Sequence, residues 1–95
     1  MTYADLLEAL RVLGLRERCS LKEIKACHRE LVKRYHPDRG VANDQEIIRE
    51  VNAAYRVLLD YVSEYRFSFA EEEFYEQNPD ERLRRQFLDT ALWEK

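Results

Sequence analysis

The chain has 95 residues, of which 45% are apolar and 37% are charged, and its formal net charge is −3. This length allows one small domain, and the acidic balance argues against a general attraction to nucleic acid. The first fifteen residues carry charges among the leucines, and no apolar run is long enough to cross a bilayer. We therefore expect a cytoplasmic monomer with no signal peptide and no membrane partner.

A first helix is predicted after Thr2, because Thr2 with Asp5 can cap the exposed amides of a first turn. Leucines then recur at helical spacing. Gly14 is expected to end this helix, because glycine readily takes the left-handed conformation of a helix stop.

A second helix is predicted from Ser20, which forms a capping-box pattern with Glu23, to the residues before Pro37. Because each residue advances about 100° around a helix, the side chains of this second helix fall into two separate arcs around its axis. The core arc contains Ile24, Cys27, Leu31 and Tyr35. The other arc, called the basic ridge below, contains Lys22, Lys25, Arg29 and Lys33. A charge run of this kind is commonly just a solvated helix face, but this one leads toward the segment that follows.

A third helix is predicted after Asn43, which repeats the capping pattern with Glu46. Its apolar stripe contains Ile48, Val51, Tyr55, Leu58 and Val62. The short connection between the second and third helices requires them to lie antiparallel and to bury their stripes against each other.

That connection begins with His36, Pro37 and Asp38. One interpretation is a plain helix stop and turn. Catalysis is disfavoured, because adjacent residues rarely form a base and its orienting group, and no nucleophile is close in sequence. A metal site would have to use Cys19, Cys27, His28 and His36, which match no zinc spacing. We expect reduced thiols, no metal and no cofactor. Recognition of a partner is the third interpretation.

The segments "VLGL", "EIKACHRELVKRYHPDRG" and "VNAAYRVLLD" together resemble a J domain, the DnaJ-type co-chaperone module, over about residues 5–60. The resemblance implies an all-α fold: an antiparallel hairpin of helices II and III joined by the HPD loop, with helix I packed across it. It also implies that the chain is not an enzyme. Its activity would be to stimulate ATP hydrolysis by a DnaK-type chaperone ATPase and so to assist the folding of a client protein.

When this chain is matched to the family position by position, His36, Pro37 and Asp38 correspond to the signature residues of the J domain. Lys25, Arg29 and Lys33 of the basic ridge, with Arg39 of the loop, match the basic positions that face the partner. Lys22 and His28 extend the same candidate surface. Many J domains carry an aromatic residue where His28 stands. A histidine there could make docking slightly pH-dependent, although a half-buried structural histidine is the alternative.

The family's basic fourth helix is not evident, so we divide the chain into a J domain at 1–62 and a C-terminal extension at 63–95. Tyr65, Phe67 and Phe69 alternate like a short strand, or else helix III continues through Tyr65. Further helices are predicted after Ser68 and at Pro79. We expect Leu83, Phe87 and Leu88 to pack inward and the extension to pack on the J domain; an exposed, partner-binding extension is the alternative.

A small DNA-binding module is the alternative function, because three helices with a basic second helix also describe such modules. The net charge and the absence of a separate short recognition helix argue against it, and a DNA-binding module has no need for the HPD tripeptide. We therefore expect no nucleic-acid partner.

Overall fold

The computed structural model describes residues 1–36 and 44–93, which form five helices and, within those ranges, no strand. The helices are α1 (Tyr3–Leu13), α2 (Leu21–Arg34), α3 (Asp44–Ser63), α4 (Glu71–Gln77) and α5 (Pro79–Trp93). They belong to two compact units, Met1–Tyr65 with α1 to α3 and Arg66–Lys95 with α4 and α5.

The ends of α1 are set by the residues that the sequence indicated. Thr2 Oγ1 accepts from the Asp5 amide at 3.1 Å, and the Asp5 carboxylate accepts from the Thr2 amide at 2.9 Å, which completes a capping box. At the other end Gly14 has a φ of 68°, and its amide donates to the Arg11 carbonyl. Only a residue at ease in the left-handed region closes a helix in this way.

The core of the first unit is a small apolar cluster shared by its three helices. Its members are Ala9, Leu13, Ile24, Val51, Ala54 and Leu58. Ile47, rather than the predicted Ile48, packs against this cluster at the start of α3. Asp44 is buried in the first turn of α3, where the helix dipole favours a carboxylate.

The direction of α3 relative to α2 follows from which residues meet. Leu31, late in α2, and Tyr35, directly after its end, line a groove with Ile47 and Val51, early in α3. His28, one turn earlier in α2, instead meets Tyr55, further along α3. The two helices are therefore antiparallel, and the prediction of an all-α fold with a J-domain hairpin is confirmed.

Cys27 joins α2 to the end of α1. Its Sγ lies 2.9 Å from the Leu13 carbonyl oxygen, to which the thiol donates. The carbonyls in the last turn of a helix lack partners within the helix, so this thiol satisfies one of them.

Burial raises the pKa of the Cys27 thiol. The pKa of Cys19 is raised mainly by burial and, to a smaller extent, by the charge of Glu23. Both thiols are therefore held in their protonated form.

We predict that these two thiols make the stability of the protein fall at alkaline pH. The pKa of each thiol is higher in the folded protein than in the unfolded protein. The contribution of the thiols to the free energy of unfolding is therefore fully present below the unfolded pKa of about 8.5, and it is lost as the pH rises through the pKa of the folded protein. Urea unfolding at neutral and alkaline pH measures the loss. The control is the Cys19→Ala/Cys27→Ala protein, which should lose less stability over the same interval; an equal loss would contradict the prediction.

The segment after α3 differs from both predictions made for it. Helix α3 ends at Ser63, where the Ser63 hydroxyl donates to the Asp60 carbonyl, so it does not continue through Tyr65. Residues 65–69 form no strand either. No strand is present among the described residues to pair with this segment. A single extended segment without a neighbouring strand cannot form the backbone hydrogen bonds of a sheet.

The second unit contains both helices that the sequence predicted there. The cap of α4 is Ala70 without a side-chain bond, while the Ser68 hydroxyl accepts from the Ala70 amide at 3.3 Å. Pro79 begins α5 as predicted, and the preceding Asn78 carbonyl accepts from the Glu81 amide. The Asn78 side-chain amide donates to the Phe74 carbonyl at 2.9 Å, so this residue also closes α4.

Candidate functional site

The start of α2 is secured by a capping box that orients its two faces. Ser20 Oγ accepts from the Glu23 amide at 3.1 Å, and Glu23 Oε1 accepts from the Ser20 amide at 3.3 Å. Ile24 is then buried in the core. Because the ridge positions lie on another arc of the helix, burying Ile24 leaves them facing water. The four exposed residues of the basic ridge are Lys22, Lys25, Arg29 and Lys33.

The basic ridge is not neutralised within the described part of the chain. No acidic side chain in residues 1–36 or 44–89 forms an ion pair with a ridge residue. The nearby Glu23 is occupied by the amide and hydroxyl of Ser20. An otherwise acidic protein thus presents four cations on one face of a single helix.

His28 connects this face to α3. Its ring stacks on Tyr55 with the centroids 3.8 Å apart and the planes 6° from parallel. Its Nε2–H donates to Asn52 Oδ1 at 2.8 Å. The side chain is half-buried, and these two contacts fix its position, as the structural interpretation of this histidine expects.

A shallow groove of about 450 Å³ runs beside these residues. It is lined by Lys25, His28, Arg29, Val32, Lys33 and Tyr55. Its floor is aromatic and aliphatic, and its rim is cationic. Such a surface suits a partner segment that combines apolar side chains with acidic ones.

His36 lies two residues beyond the end of α2 and is exposed. Pro37, Asp38 and Arg39, which complete the predicted site, are outside the described residues. Sequence reasoning placed Tyr55 in the core and did not identify Asn52 or Val32 as neighbours of the ridge. Asn52 and Tyr55 are three residues apart on α3 and therefore lie on the same face of that helix. An antiparallel alignment of α2 and α3 could have placed this face beside the ridge.

Neither a metal site nor a membrane span is found in the described residues. No group of three or more histidine, cysteine, aspartate or glutamate side chains is arranged there to hold a metal ion. None of the described helices combines the length and the apolar character that crossing a membrane requires.

Comparison with known proteins supports the same interpretation of the fold. The family model of the DnaJ domain matches residues 9–67, which is more than half of the chain. No solved structure matches the chain significantly.

Three curated relatives illustrate the similarity, and each is named Chaperone protein DnaJ. The chain is 43% identical to the protein of Ureaplasma parvum over 49 residues, which cover 52% of this chain and 13% of that protein. It is 47% identical to that of Rickettsia prowazekii over 51 residues, covering 53% and 14% respectively. It is 45% identical to that of Wolbachia pipientis over 60 residues, covering 61% and 14%. The matches thus span about one seventh of these longer proteins. Because the family model extends from within α1 to beyond the end of α3, over more than half of the chain, the chain belongs to the DnaJ domain family.

Proposed function

We propose that this protein is a J-domain co-chaperone that binds a DnaK-type chaperone ATPase and stimulates its ATP hydrolysis. The observation that carries the proposal is the exposed basic ridge on α2, which forms no ion pair with an acidic side chain of the described residues and leads along the helix toward His36. Family membership supports a DnaK-type partner, because relatives named Chaperone protein DnaJ are similar to about half of the chain.

The ridge and its groove account for docking. The cations of the basic ridge attract an acidic partner surface over a distance, which gives fast association that salt weakens. The groove beside Tyr55 and Val32 then offers an apolar contact, which sets the orientation of the bound partner. His28, held by Tyr55 and Asn52, keeps the aromatic wall of that groove in place.

The HPD residues account for stimulation. Asp38 would present a carboxylate to a cationic group of the partner, most effectively an arginine, through charge-assisted hydrogen bonds. Such a contact accelerates hydrolysis only if it is stronger in the hydrolysis-competent state of the ATPase than in its resting state. Pro37 limits the backbone freedom of the loop and so lowers the entropy lost when the contact forms.

Steady-state phosphate release by the DnaK-type chaperone of the source organism tests the proposal. Added full-length protein should raise the rate in a saturable manner while hydrolysing no ATP by itself. A rate that stays basal at every concentration would reject the proposed function.

We predict that Lys25→Ala and Arg29→Ala each weaken binding to this chaperone by up to about fivefold, because an exposed ion pair contributes at most about 1 kcal/mol. Removing both should also flatten the salt dependence of binding. Titrations at several salt concentrations measure both effects. The matched control is Arg16→Ala, an exposed base between α1 and α2, which should change neither. Wild-type affinity that is the same at low and high salt would contradict electrostatic docking.

A further inference from the structure

The apolar stripe of α5 faces water. Leu83, Phe87 and Leu88 are 64%, 74% and 56% exposed. The prediction that these three side chains pack inward is therefore wrong, because α4 meets the side of α5 that carries Arg82 and Arg85. Nothing in this stripe indicates a particular ligand. The groove beside the basic ridge differs in this respect, because it combines three cations with a histidine.

The hydrogen bond to Asn52 determines which nitrogen of His28 carries a hydrogen. Asn52 Oδ1 lies 2.8 Å from Nε2 of the ring, and a carbonyl oxygen can only accept. Nε2 therefore carries the hydrogen, which makes Nδ1 the acceptor nitrogen of the neutral ring. Within residues 1–36 and 44–93, no hydrogen bond to Nδ1 is found. A further proton must therefore add at Nδ1.

A proton at Nδ1 leaves both contacts of His28 in place. The bond from Nε2–H to Asn52 is kept in the charged ring, because both ring nitrogens then carry hydrogens. The stack on Tyr55, with 3.8 Å between the centroids, is also kept, since the face of an aromatic ring attracts a cation. The structural role of His28 is therefore compatible with a change of its charge.

The other groups that line the groove keep their charge near neutral pH. The cations that line it from α2 are Lys25, Arg29 and Lys33. From α3 the ring of Tyr55 lines it, and the neighbouring Asn52 amide does not titrate. Lysine, arginine and tyrosine ordinarily titrate at about pH 10 or above, whereas histidine ordinarily changes charge between about pH 5 and 8. Within this groove, His28 is therefore the group that can exchange a proton when a partner binds.

An acidic partner would bring a carboxylate close to this ring. Lys25 lies one helical turn before His28 on the same side of α2, and Arg29 is the next residue. A carboxylate that pairs with either cation thus comes within reach of the imidazole. A negative charge within about 4–6 Å favours the charged ring, and Nδ1–H can then donate a charge-assisted hydrogen bond. Docking also removes water, which opposes charge, but a shallow groove at a half-buried ring removes only part of it.

We propose that docking of an acidic partner in this groove is coupled to the uptake of one proton at Nδ1 of His28, which then binds a carboxylate of that partner. This inference rests on the proposed function, because it concerns the same groove. In the complex, a fifth positive charge joins the four of the basic ridge. Because the complex binds more protons than its separate components, association strengthens as the pH falls.

Isothermal titration calorimetry with the full chain and the DnaK-type chaperone of the source organism tests the inference. A proton taken up on binding comes from the buffer, so the heat measured at about pH 7 should differ between phosphate and Tris. The difference should correspond to an uptake of up to about one proton per complex. Affinity should increase several-fold from about pH 7.5 to about pH 6.5, and about tenfold is the limit for a single proton.

His28→Tyr is the variant that assigns the proton, because tyrosine keeps an aromatic ring with a polar end and takes up no proton in this pH range. Its binding heat should be the same in both buffers. The matched control is His36→Gln, which removes the other histidine of the chain and should retain the difference between the buffers. Circular dichroism verifies that each variant is folded.

A measurement on the protein without substitutions gives an independent test. Nuclear magnetic resonance distinguishes imidazole nitrogens that carry hydrogens, and the fraction of His28 with a hydrogen at Nδ1 should rise when the chaperone is added at constant pH. Binding with equal heat in both buffers, or an uptake that persists in the His28→Tyr protein, would overturn the inference and leave the proposed function intact. Absence of binding in every buffer would reject both.

Discussion

Replacing Asp38 with asparagine is expected to abolish most of the stimulation of a DnaK-type ATPase while the protein stays folded. The substitution keeps the size of the side chain and removes the charge that would strengthen its hydrogen bonds to the partner. Such bonds contribute about 1.5–3 kcal/mol, so stimulation at a limiting concentration should fall about tenfold to a hundredfold. His36→Gln should have a similar effect. Phosphate release measures activity, and circular dichroism verifies the fold.

The control for this prediction is Glu30→Gln, which removes the same charge from an exposed position of α2. It should leave stimulation intact or raise it slightly, because it makes α2, the helix that carries the ridge, more positive. Full stimulation by the Asp38→Asn protein would show that the HPD carboxylate is not the group that acts on the partner.

Replacing Leu58 with alanine is expected to unfold much of the first unit. Leu58 is only 3% exposed and belongs to the cluster shared by α1, α2 and α3. Leucine-to-alanine changes in a core cost about 2–5 kcal/mol through lost burial and the cavity left behind. A unit of this size has a total stability of only several kcal/mol. Thermal and urea unfolding followed by circular dichroism measure the loss.

Leu7→Ala provides the matched comparison, because Leu7 lies in the same unit, on helix α1, and is 42% exposed. The two variants share the change in helix propensity and differ in burial. Leu7→Ala should therefore cost much less. If the two substitutions had equal effects, the cluster around Leu58 would not be the stabilising core of this unit.

The sequence alone was sufficient for the helix boundaries that depend on neighbours three or four residues away. Thr2 with Asp5, Ser20 with Glu23, and Gly14 after α1 all act as expected. Their hydrogen bonds join residues that are close in the chain, so no tertiary information is needed to predict them. The HPD motif and the residues of its flanking helices likewise identify the family by residue type and spacing alone.

Tertiary structure decided which surfaces the helices cover. Helical spacing shows that Leu83 and Phe87 share a stripe, but it does not say which side of α5 meets α4, and there the ion pairs of Arg82 and Arg85 prevail. His28 stacks on Tyr55, 27 positions later in the chain, a contact that exists only because α2 and α3 run antiparallel in one register. Local patterns define the faces of a helix, whereas the choice of neighbour depends on the packing of the whole unit.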